Sequence, residues 1–111
     1  MENMKYSYQS EKFAAARSAL MLPHTKGEAT SVAEAFFQCS LGLEHIADEG
    51  LDDDARAWLQ QLSAFMDTSS IQDLRNRGAY LVKAEQFTID ELLQISILID
   101  ELATWFDHSD R

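Results

Sequence analysis

Thr88 and Glu91 stand three residues apart at the head of a largely apolar run that reaches Phe106. A Thr hydroxyl and a Glu carboxylate at that spacing satisfy free backbone N–H groups of a first helical turn reciprocally, so the pair predicts a helix start. Behind it, Ile89, Leu92, Leu93, Ser96, Ile99, Ala103 and Phe106 recur on one helical face, and Ile95, Leu98, Leu102 and Trp105 form a second stripe. A long helix that is apolar on two sides needs cover on both. It belongs at the centre of a bundle or at a contact between two copies of the chain.

The rest of the chain keeps the helical period. A first helix is expected from Ser7 to Leu22, with Phe13, Ala16, Ala19 and Leu20 inward, and Pro23 ends it because the residue before proline avoids the helical region. Ser31 and Glu34 predict a capping box opening a second helix, whose Val32, Ala35, Phe36, Cys39, Leu43 and Ile46 share a face widened by Phe37 and Leu41. Gly42 inside that run is costly unless a neighbouring helix comes close. Gly50 is placed to end this helix in a left-handed conformation, with Leu51 packing back. Asp52 or Asp53 caps a third helix reaching Asp67, with Ala55, Trp58, Leu59, Leu62, Phe65 and Met66 on its face. The short link makes the second and third helices antiparallel neighbours. Ser70 with Asp73 is expected to start a short helical piece through Arg77, stopped at Gly78, while Tyr80, Leu81 and Val82 fit a helical turn or an extended piece. The expected fold is one all-α domain over 1–111, a compact bundle of four main helices with a short helical or irregular segment before the last.

Composition narrows the function. Nineteen acids against nine bases give a net charge of −10, which repels phosphate backbones and anionic membranes and favours a basic protein partner. Solubility alone is the simpler account of the same charge. No segment nears the roughly 20 apolar residues needed to span a bilayer. The N-terminus lacks an apolar signal-peptide core. The single cysteine, Cys39, rules out an internal disulfide framework and fits a reducing compartment. The expectation is a cytoplasmic protein.

Catalytic patterns are sparse. No Glu is followed by His at the third position, as a di-iron bundle requires, and no His-Glu-x-x-His stretch occurs. His45 and Glu49 are one helical turn apart, a spacing more often found on ordinary surfaces than around a metal. The acidic run is not an EF-hand loop, because Gly50 at the sixth position puts His45 at the first. Cys39 lies on an apolar face and reads as core. Lys26 to Ser31 leads into a helix start but holds one glycine and the repelling Glu28, so it is no phosphate loop. Arg75 and Arg77 read as last-turn charges complementing a helix dipole. No cofactor or metal is expected.

What remains is an acidic corner, Glu44 to Asp54, with six carboxylates and no Lys or Arg. Its halves differ. Asp52, Asp53 and Asp54 sit at a helix N-terminus, where the dipole favours them. Asp48 and Glu49, with Glu44 one turn earlier, are expected in the last turn of the second helix, where it opposes them. The leading functional expectation is a non-catalytic interaction module of inhibitor, immunity or adaptor type, docking a basic partner through Glu44, Asp48, Glu49, Asp52, Asp53 and Asp54. The alternatives are a homo-oligomeric structural protein paired through the last helix, and a small-molecule-binding bundle or enzyme using His24, His45, Tyr80 and Cys39.

Overall fold

The computed structural model describes residues 6–21, 27–44, 46 and 50–109. Among these, helices run over Ser7–Ala19 (α1), Glu28–Leu43 (α2), Asp53–Met66 (α3), Ala79–Ala84 (α4) and Ile89–Ser109 (α5). The fold is an all-α bundle of four main helices, with the short α4 before the last.

The alanine-rich α1 has high helix propensity, and Arg17 in its last turn complements the dipole. Phe13 and Ala16 face inward as expected, joined by Tyr6 and Gln9. The helix stops at Ala19 rather than Leu22. α2 begins one turn before the expected Ser31 box. Gly27 turns the chain with φ 97°, a conformation open to glycine, and Glu28 takes up the favourable first-turn position. Ser31 therefore lies buried inside the helix, and the N-cap position falls to Gly27.

The far end of α2 departs further from expectation. Glu44 turns extended (ψ 136°), so the helix stops at Leu43 instead of Gly50. Its last turn holds no base to offset the dipole and contains the weak helix former Gly42. Ile46 still packs against the core from beyond the helix end. Leu51 is buried, as expected of the residue after Gly50.

Asp52 caps α3 as expected, its Oδ1 accepting the Ala55 N–H at 2.8 Å. Ala55, Leu59, Leu62 and Met66 are buried and Trp58 and Phe65 are half-buried, which is the face read from the periodicity. Between α3 and α4 no helix forms over Ser70–Arg77. Instead, the Asp73 carboxylate accepts the N–H groups of Arg77 and Gly78, both at 2.7 Å, and organises a tight loop. Asn76 (φ 54°) and Gly78 (φ 104°) supply its left-handed turns. Tyr80, Leu81 and Val82 resolve as the helix α4. At α5 the Thr88–Glu91 box forms in both directions, at 2.9 and 3.1 Å.

α2 and α3 are not packed neighbours. α2 lies on α1 and α4, while α3 lies on α5, which also carries α1. Phe87, in the α4–α5 link, keeps α2 and α3 apart: its ring meets Phe36 of α2 edge-on at 6.0 Å and Phe65 of α3 at 5.8 Å. A second aromatic set joins α1 to α5. Phe13 stacks on Phe106 at 5.1 Å, and Tyr6 stands edge-on to Phe106 and Trp105. Both apolar stripes of α5 enter this core from Ile95 onward, where Ile95, Leu98, Ile99, Leu102, Ala103 and Phe106 are buried. Ile89 and Leu93 do not follow: both are exposed.

Candidate functional site

The three aspartates of the acidic corner gather at the start of α3. Asp52 uses both carboxylate oxygens, one on Ala55 and the other accepting the indole N–H of Trp105 at 3.0 Å. The Ala55 backbone bond, then the indole, hold its carboxyl below the usual carboxylate value, because both stabilise the charged form. Asp53 and Asp54 occupy the first turn and are exposed. All three are accounted for by the helix start they stabilise.

The Trp105 contact gives the corner a tertiary setting that the sequence did not display. It ties the α3 N-terminus to α5, one helical turn from Glu101. Glu101 is exposed, as are Asp100 and Asp107. Of these, Glu101 stands one turn from the Trp105 that reaches Asp52, whereas Asp100 lies beside Arg17 of α1. The indole N–H was the available signal: a half-buried tryptophan has one donor to satisfy, and an aspartate cap has a spare oxygen.

Of the other half of the expected corner, only Glu44 falls among the described residues. Glu44 is exposed where α2 ends. Asp48 and Glu49 lie outside the described residues, and the α2 end at Leu43 removes the last-turn position that singled them out. His24 and His45 also lie outside the described residues. Cys39 is fully buried, and that burial pushes its thiol up to about 12, far from a reactive thiolate. Tyr80 is half-buried, edge-on to Phe36 at 5.7 Å. Among the described residues no three His, Cys, Asp or Glu side chains converge as a metal site.

A shallow groove follows from the separation of α2 and α3. One part, of about 620 Å³, is lined by Ser40, Leu43, Gln60, Ser63, Met66 and Tyr80 among others. A second part, of about 410 Å³, shares Leu43 and Gln60 and adds Ile46 and Arg56. Ser40 donates its hydroxyl to the Phe37 carbonyl at 2.6 Å, and no His or Cys among the described residues lines either part. The groove offers apolar contact and hydrogen bonding, with no nucleophile–base pair among the described residues that line it.

Arg77 does not complement a helix end as expected, because no helix precedes it. Its guanidinium forks onto the Glu85 carboxylate at 2.9 and 2.5 Å. That hydrogen bonding holds Glu85 below the usual carboxylate value and raises Arg77. Phe37, expected to be covered, is 54% exposed. No helix among the described residues is long and apolar enough to cross a membrane. No protein-family model, curated protein or solved structure matches the chain.

Proposed function

We propose that this chain is a non-catalytic interaction module whose acidic surface docks a basic protein partner. The supporting observation is the Asp52–Trp105 hydrogen bond, which ties the helix start carrying the exposed Asp53 and Asp54 to α5, where Glu101 is exposed one turn from Trp105. Charges anchored to two packed helices present a fixed pattern, which favours steering and orientation of a basic partner. The net charge of −10 adds a long-range attraction of the same sign. We place the module in the cytoplasm, a reading supported by a lone cysteine kept as a buried thiol.

The test is affinity capture from lysate with immobilised protein at about 0.05 and about 0.5 M salt, where the Debye length falls from more than 10 Å to a few ångströms. It is repeated with Asp53→Lys, Asp54→Lys and Glu101→Lys combined. Asp52 is left intact because it caps α3. Basic proteins captured by the wild type are expected to be lost at high salt and with the variant. A captured set that survives both changes rejects electrostatic docking.

A further inference from the structure

α5 is apolar beyond what its own core uses. Ile89, Leu93 and Ile97 fall at i, i+4 and i+8 on the side opposite the buried residues, and are 84%, 60% and 52% exposed. At 1.5 Å per residue they form a row roughly 12 Å long. Single exposed apolar side chains are ordinary, but an aligned row is the form taken by helix-docking surfaces. The same outward side continues into Asp100 and Glu101, both exposed. One face of one helix therefore carries an apolar row with Asp90 beside its start and Asp100 and Glu101 beyond its end.

We propose that this face docks an amphipathic helix of a second protein, with apolar residues against Ile89, Leu93 and Ile97 and Lys or Arg against Asp100 and Glu101. The proposal rests on the acidic-docking reading above and supplies the partner's chemistry. Charge decides the occupant. Two copies of this chain would each bring −10. Pairing their α5 faces in parallel sets Asp100 and Glu101 against themselves. Antiparallel pairing carries them toward the start of the other copy's α5, where Asp90 is exposed. Like charges so placed oppose association, whereas a basic helix meets the same carboxylates favourably. Arg17, with Nη1 3.4 Å from Asp100, only partly offsets this charge, since both side chains are exposed.

The probes are fluorescein-labelled synthetic helices with leucines along half of one face and lysines along the other half, made in both chain directions. Matching peptides carry glutamine in place of leucine. Binding is measured by anisotropy to the wild type, to Leu93→Gln with Ile97→Gln, and to the Asp53, Asp54 and Glu101 lysine variant. Thermal melts confirm that the variants fold. The leucine–lysine helix is expected to bind in one direction and to weaken at least about tenfold with the Leu93/Ile97 pair, which removes two apolar contacts. The glutamine peptide should be indifferent to that pair.

Absence of binding in both directions, or leucine–lysine binding unchanged by the Leu93/Ile97 pair, overturns the docking face. If charge reversal alone abolishes binding, the face is rejected and acidic docking stands. If the pair weakens binding while charge reversal and salt do not, acidic docking fails and the apolar row stands. Sedimentation showing a dimer that Leu93→Gln with Ile97→Gln dissociates would assign the face to a second copy and overturn the proposal.

Discussion

Gly42 shows how a single side-chain atom can decide a helix contact. Glycine within a helix costs up to about 1 kcal/mol relative to alanine, so replacing Gly42 in the last turn of α2 should help. Here a Cβ would lie 3.0 Å from Phe13 Cε2 and 3.2 Å from Lys12 Cβ. Phe13 is fully buried and stacked on Phe106, so its ring has little room to move. Gly42→Ala is therefore expected to lower stability, by about 1–3 kcal/mol as in other overpacked sites, in urea denaturation. A gain would mean that α1 and α2 can separate slightly at no cost. The close approach was conditional in the sequence, because a glycine in a helix announces either weakness or contact. Phe13, nearly thirty residues away, resolves which.

At the scale of elements, helix starts divide into those that caps determine and those that they do not. The Thr88–Glu91 box closes in both directions, and Asp52 caps α3 with Ala55. Ser31 and Glu34 have the same spacing but lie inside α2, because Gly27 starts the helix one turn earlier. Thr88→Ala should cost about 1 kcal/mol in thermal or urea unfolding, as loss of an N-cap does. Ser31→Ala would not act through a cap, since Ser31 is a buried residue within the helix. An unchanged melt for Thr88→Ala would show that α5 is held at this end by packing alone. The connection to α2 carries the larger lesson. A short link suggested that α2 and α3 were partners, but α2 stops early and Phe87 fills the space between them.

For the molecule as a whole, acid should weaken the fold. Asp52, Asp67 and Glu85 are held below their ordinary values of 3.8, 3.8 and 4.5. Asp52 is lowered first by the Ala55 N–H, Asp67 by the Ser69 N–H and Glu85 by Arg77. A depressed folded-state value means that the unfolded chain takes up protons first as pH falls. The stabilisation is complete above the ordinary values and is lost as pH drops through the lowered ones. The opposing effect is relief of repulsion among nineteen acids. Urea midpoints should be lower near pH 3 than near pH 7, since the hydrogen-bonded carboxylates lose specific partners. A rising midpoint would show that relief of repulsion dominates.

The all-α class, the caps of α3 and α5 and the inward faces of α1 and α3 were legible from residues alone. Periodicity and capping act within about four residues, so the chain displays their chemistry locally. The candidate surface was legible only in part. Asp52–Asp54 could be read at a helix start, but the hydrogen bond that ties Asp52 to Trp105 joins positions 53 residues apart. The separation of α2 from α3 depends on Phe36, Phe65 and Phe87 meeting. The outward row of Ile89, Leu93 and Ile97 depends on how much of α5 its neighbours cover. Local rules place an apolar residue on a helix face; only packing determines whether another helix is there to cover it.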